Sequence, residues 1–213
     1  MGLLIKGEWR DQWYDTKQSG GAFVRQESGF RQHVTRDGSS GFKAERGRYH
    51  LYVSLACPWA HRTLIFRKLK KLEDAISVSV VEPLMLENGW SFGATPDPLT
   101  GKHHLYEIYR LAKADYTGRA TVPVLWDKER RTIVNNESAE IIRMLNRAFA
   151  DVAAPSPDFC PPELEGEIDA VNARVYDGIN NGVYKAGFAT TQAAYETAVR
   201  ALFETLDWVE RRL

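Results

Sequence analysis

The chain has 213 residues, with 28 Lys and Arg against 28 Asp and Glu, 5 histidines and 2 cysteines, Cys57 and Cys160. Balanced charge argues against a nucleic-acid stripe or an anionic membrane surface as partner. No run approaches the apolar length of a membrane span, and Met1–Lys6 resembles neither a signal peptide nor a myristoylation site. Two distant cysteines fit a reducing, cytoplasmic compartment, and the length allows one large domain or two small ones.

Residues 1–45 mix Gly, Ser, Asp, Gln and Arg with Trp9, Trp13, Tyr14, Phe23, Phe30 and Phe42. No helical or strand period persists, so an extended arm packed over the remaining chain is expected. Tyr49–Ser54 alternates and is rich in β-formers, which predicts a strand. Trp59–Leu69 carries Ala60, Leu64, Ile65 and Leu69 at helical spacing, with Pro58 suited to the first turn. Arg67–Lys71 ends that helix with positive charge, as its dipole favours.

Ile76–Val81 alternates and is expected as a second strand, parallel to the first across the helix. Residues 82–101, with three glycines and three prolines, predict a long loop of the kind that is usually functional. His104–Ala114 reads as a short helix. His103 and His104 lack further ligands at a useful spacing, so no metal is expected. Val122–Trp126 and Arg131–Val134 flank a charged turn and predict a hairpin. Asn135–Ser138 then opens a helix with Ile141, Ile142, Leu145 and Phe149 on its apolar face. The order β-α-β, helix, β-β-α is that of a thioredoxin-like domain over 46–150.

Residues 151–162 hold four prolines and read as a linker, with Cys160 incidental in it. A helical domain is expected to begin at 163. Leu164, Ile168, Val171 and Val175 mark its first helix, and a polar break holds Gly178, Gly182 and Gly187. A second amphipathic helix carries Tyr195, Val199, Leu202, Leu206, Val209 and Leu213. Two helices make a poor domain, and the pattern runs to the final residue without a C-cap glycine, so a truncated helical domain is expected.

Chemistry centres on Cys57. It falls between a strand and a proline-started helix, where the helix dipole favours thiolate over thiol. A small buried hydrophobe is the plain alternative, since most free cysteines are that. Ala60 stands where a Cys-x-x-Cys pair would have its second thiol, so any disulfide formed by Cys57 joins it to a partner molecule.

Five blocks in order carry a resemblance over essentially the whole chain. They are Ala56–Arg62, Asn88-Gly89-Trp90, Thr121–Asp127, Ile133–Ile141 and Gly182–Ala189. Together they resemble the glutathionyl-hydroquinone reductases, the Xi class of glutathione transferases. The resemblance implies a thioredoxin-like domain followed by a glutathione-transferase-type helical domain, with glutathione as co-substrate. It implies a Cys57 nucleophile and a cis-proline segment at Val122-Pro123 that meets the cysteinyl part of glutathione. Glu137 and Ser138 would hold the γ-glutamyl end, and Trp90 and Arg119 the tripeptide. Tyr184 would face a glutathionylated quinol substrate.

By the same resemblance the full-length protein is a homodimer. The family runs on for about another hundred residues, with a second substrate-site tyrosine that is not in this sequence. An omega-like thiol transferase or dehydroascorbate reductase shares the cysteine but not the aromatic pocket. A non-catalytic scaffold would need neither Cys57 nor Glu137-Ser138.

Overall fold

The computed structural model describes residues 2–213 and divides into two compact units. The first comprises the segment up to Gln12 with Ser28–Phe159; the second comprises Trp13–Glu27 with Cys160–Leu213.

The first unit is built on a four-stranded sheet. Its strands are β3 (Tyr49–Ser54), β4 (Ser77–Val81), β5 (Val124–Asp127) and β6 (Thr132–Asn135), in the order β4-β3-β5-β6. β3 and β4 are parallel, with Leu51 opposite Val78, and are joined by α1 (Pro58–Leu69). β5 runs antiparallel to both β3 and β6, and the β5–β6 hairpin is the one expected from the sequence. All six residues of β3 are buried, although the alternating pattern favours a half-buried strand. A central strand flanked on both edges and covered on both faces has no solvent side. α2 (Leu105–Ala112) and α3 (Ser138–Arg147) complete this unit.

α1 turns only part of its expected apolar face inward, with Leu64 packed partly buried against the core. Ala60 and Thr63 are buried, whereas Ile65 and Leu69 are 44% exposed. Thr63 satisfies its hydroxyl on the Ala60 carbonyl, and Arg67 reaches the carbonyls of Ile76 and Glu73. Small and hydrogen-bonded residues thus let the helix lie close on the sheet.

The expected N-terminal arm is divided between the units. A small hairpin, β1 (Leu3–Ile5) with β2 (Glu8–Arg10), belongs to the first unit, where Leu4 and Gly118 exchange two backbone hydrogen bonds. Within the loop 82–101, Asp97 is buried. It accepts hydrogen bonds from Tyr52, Ser79 and both the backbone and hydroxyl of Thr100.

In the second unit, α4 (Pro162–Val175) leads through a π-helical turn (Tyr176–Asn180) into α5 (Gly182–Gly187), and α6 (Gln192–Glu210) follows. The break expected at Gly178–Gly187 is therefore mostly helical. Gly178 serves helix packing instead, since a Cβ there would lie 2.2 Å from Thr205 Oγ1. Segment 13–27 joins this unit through Thr16 to Thr190, Thr190 to the Gly21 carbonyl, and Thr191 to the Gly20 carbonyl. α4 buries no residue and α6 only Thr205. Among the described residues no helix is long and apolar enough to cross a membrane.

Candidate active site

Cys57 is the N-cap residue of α1, with extended backbone angles and Pro58 opening the helix. Its N–H donates to the Ser54 carbonyl, and the Ala56 N–H donates to Ser54 Oγ, so a tight turn off the buried end of β3 presents the thiol. The residue is half-buried, and Sγ lies 3.6 Å from the Val122 carbonyl oxygen. The Val122–Pro123 peptide is cis, and both residues are buried. Cys57 and the cis-proline segment, sixty-five positions apart, are thus brought into contact. Among the described residues no group of three or more His, Cys, Asp or Glu is placed to hold a metal ion.

Glu137 and Ser138 form the start of α3. Glu137 is the N-cap, and its carboxylate accepts from the Ala139 N–H at 3.2 Å and from Ser28 Oγ at 3.2 Å. A carboxylate at this place is favoured by the helix dipole. Ser138 is 2% exposed, and its hydroxyl oxygen accepts two hydrogen bonds from Arg62 on α1, at 3.0 Å from Nε and 2.8 Å from Nη2. Arg62 also stands 3.8 Å from Glu137 and lies over the Trp59 ring at 5.3 Å.

Reading the sequence alone overlooked Arg62, although it stands within the Ala56–Arg62 block. Its partner Ser138 is seventy-six positions away, and no local pattern announces that contact. A second overlooked residue is Tyr109. It is fully buried, its hydroxyl donates to the Thr121 carbonyl, and it accepts from the Thr121 N–H and from Asn136 Nδ2. That one hydroxyl joins the residue before Val122 to the residue before Glu137. Burial pushes the phenol pKa up and keeps it a neutral donor.

The remaining first-unit residues are set less directly. Trp90 is partly buried against the core, and its carbonyl accepts from the Leu105 N–H. Its loop is held by Trp9, whose indole donates to the Glu87 carbonyl and whose ring fills the space beside Gly89. Gly89 has φ of +69°, and a Cβ there would meet the Trp9 ring at 2.8 Å, so this close approach requires glycine. Arg119 donates from Nη1 to the carbonyls of Gly2 and Gln12, at 3.1 and 3.3 Å. It is thus engaged with the N-terminal segment rather than lying solvated.

Tyr184 lies on α5 in the second unit. The Arg25 guanidinium sits over its ring at 4.4 Å, and Phe23 and Phe188 pack beside it.

A cysteine at a helix start against a cis-proline segment, with a capped and arginine-backed helix start nearby in sequence after a hairpin, matches known proteins. A family model described as the glutathione S-transferase N-terminal domain matches residues 56–148. The chain is 57% identical to the glutathionyl-hydroquinone reductase PcpF of Sphingobium chlorophenolicum, over 100% of its own length and 68% of that protein's. The chain belongs to the glutathionyl-hydroquinone reductase family.

Solved structures of these Xi-class proteins agree. The glutathione-bound structure of YqjG from Escherichia coli K-12 superposes with a TM-score of 0.87 at 53% identity, covering 99% of this chain and 66% of that one. The Xi-class enzyme of Natrialba magadii gives 0.89 at 47%, covering 100% and 65%. The chain therefore spans about two thirds of the length of the family members it matches. The family fold, a thioredoxin-like domain followed by helices, is the one found here.

Proposed function

We propose that the chain reduces S-glutathionyl-hydroquinones with glutathione through a mixed disulfide on Cys57. The observation that carries this reading is the placement of Cys57 Sγ at the N-terminus of α1, 3.6 Å from the Val122 carbonyl beside cis-Pro123. Unused N–H groups at the helix start favour a negative sulfur. The thiolate attacks the glutathionyl sulfur of the conjugate. The Cys57–glutathione S–S bond forms, the carbon–sulfur bond breaks, and its electron pair leaves with the quinol carbon, which takes up a proton. A second glutathione thiolate then attacks the glutathionyl sulfur of the mixed disulfide. Glutathione disulfide departs and the Cys57 thiolate is restored, so the glutathionyl sulfur of the conjugate and the sulfur of the incoming glutathione supply the two electrons that reduce the quinol carbon.

In this reading Val122 and Pro123 hold the cysteinyl part of glutathione. Glu137 takes the ammonium and Ser138 the carboxylate of the γ-glutamyl end, while Trp90 and Arg119 bind the remainder of the tripeptide. Tyr184 contacts the quinol ring, and its aromatic surroundings of Phe23 and Phe188 suit that partner. The protein works in the cytoplasm as a homodimer. Two cysteines outside any disulfide are compatible with a reducing compartment, and size-exclusion with light scattering measures the assembly.

The test is turnover of a glutathionyl-hydroquinone with glutathione. Parent protein is expected to release hydroquinone, and Cys57→Ser to release none above background. A second reading has a specific basis, because a relative named glutathione S-transferase omega-like 2 in Schizosaccharomyces pombe is 51% identical, over 93% of this chain. Faster turnover of dehydroascorbate or a small mixed disulfide than of the quinol conjugate would favour it.

A further inference from the structure

The hydroxyl of Ser138 has one proton to donate and two acceptor directions. Both acceptor directions are occupied by one residue, since Nε and Nη2 of Arg62 reach the same oxygen at 3.0 and 2.8 Å. The proton of Ser138 therefore cannot point at Arg62, and it is left to donate elsewhere. We propose that Arg62 is a positioning residue of the glutathione site, which makes the Ser138 hydroxyl an obligate donor to the γ-glutamyl carboxylate. This rests on the reading above, in which Glu137 and Ser138 hold that end of glutathione.

Three features single out Arg62 for this task. A guanidinium can place two N–H groups on one oxygen in a fixed fork, which an ammonium cannot hold in the same way. Ser138 is almost completely buried, so its hydroxyl orientation is set by protein and ligand rather than by bulk water. The Arg62 charge, 3.8 Å from Glu137, also offsets the like-charge repulsion between that carboxylate and an incoming ligand carboxylate. Its side chain is 29% exposed, so the ion pair alone would be weak, and the hydrogen bonds to buried Ser138 carry the argument. Arg62 stands on the helix that Cys57 begins, and α1 packs on α3. The grip on the far end of the tripeptide is thereby tied to the helix that presents the attacking sulfur.

A double-mutant cycle tests this. Glutathione affinity is measured by isothermal titration for the parent, R62M, S138A, the R62M/S138A pair and R62K, with KM and kcat for a glutathionyl-hydroquinone alongside. Far-ultraviolet circular dichroism confirms folding. R62M and S138A are each expected to weaken glutathione by about tenfold or more, and the pair by no more than the worse single change. The loss should fall on KM rather than kcat. R62K keeps the charge but not the fork, and should recover only part of the affinity.

If S138A binds like the parent, the assignment of the γ-glutamyl site itself is wrong. If S138A weakens binding while R62M stays within twofold, or if the two losses multiply fully, Arg62 does not act through Ser138. Should R62M fail to fold, R62K paired with S138A provides the same cycle, and independent losses there overturn the proposal equally.

Discussion

His50 gives the fold a pH dependence that can be calculated. It lies near the start of β3, opposite Ser77 of β4 and Trp126 of β5, and is 4% exposed. Nδ1 is 2.7 Å from Ser77 Oγ, Tyr52 packs edge-on against the ring, and Nε2 is buried with no hydrogen-bond partner. Protonation would place a charge in the core with a second N–H and nothing to receive it. Burial accordingly lowers the imidazole pKa from 6.5 to about 4; Lys128 and Arg67 add to the effect and Asp97 opposes it.

A depressed histidine pKa means that the unfolded chain binds the proton more readily. Stability from His50 is therefore complete above about pH 6.5, and is lost as pH falls from there through about 4. At about 1.4 kcal/mol for each tenfold change in proton affinity, the full loss is about 3 kcal/mol, of which about 2 kcal/mol falls between pH 7 and 4.5. Urea unfolding of the parent and of His50→Asn across this range separates the effect from all other titrating groups. The variant is less stable at pH 7, but its curve should fall by about 2 kcal/mol less on acidification. Parallel curves for the two proteins would refute the argument.

Tyr109→Phe removes a hydroxyl that makes three hydrogen bonds in a dry site, and should cost about 2–3 kcal/mol by chemical denaturation while weakening glutathione binding. Gly178→Ala should destabilise by about 1–3 kcal/mol, because the new methyl would overlap Thr205. Gly166→Ala, on α4 with nothing within 4 Å of the new methyl, should stabilise by about 0.5–1 kcal/mol; thermal scans of the two compare packing with helix propensity directly. Incubation with a glutathionyl-hydroquinone and no free thiol should add one glutathione to Cys57, seen by intact-protein mass spectrometry and removed by added thiol. Cys160, 3% exposed, should take none, and Cys160→Ser should behave as the parent.

What the sequence disclosed follows from how strongly each feature is encoded locally. β-Branched runs and turn residues announce β3, β4 and the β5–β6 hairpin within a residue or two, and Cys57-Pro58 marks the start of α1. The inward face of α1 was legible at Ala60 and Leu64 but not at Thr63, which is polar and buried, while the aliphatic Ile65 and Leu69 stay half-exposed. The glycines after Val175 were misread for a related reason. Gly178 carries information about a neighbour twenty-seven positions away, Thr205, and no local rule contains it. Arg62 and Tyr109 belong to the same class. Each is an ordinary helix residue until the fold brings Ser138 or Thr121 to it.

The N-terminal segment shows how these parts act together. Residues 28–32 run along β6 and the start of α3, with the Phe30 N–H on Asn136 Oδ1 and the Asn136 N–H on the Phe30 carbonyl. Asn135 Nδ2 donates to the Gln32 carbonyl, and the Gln32 N–H donates to the Val134 carbonyl. Ser28 reaches Glu137 itself. This stretch thus covers the open edge of the sheet, which would otherwise expose unpaired backbone groups. The same contacts brace Asn136 and Glu137 from one side, while Tyr109 braces Asn136 from within and Arg62 braces Ser138 from α1. A ligand bound at this helix start would meet groups whose orientations are already set, so less freedom is lost on binding. Packing of the arm and function of the site are therefore one arrangement. A change at Ser28 or Phe30 should reach glutathione affinity through Glu137 and Asn136, before it reaches the chemistry at Cys57.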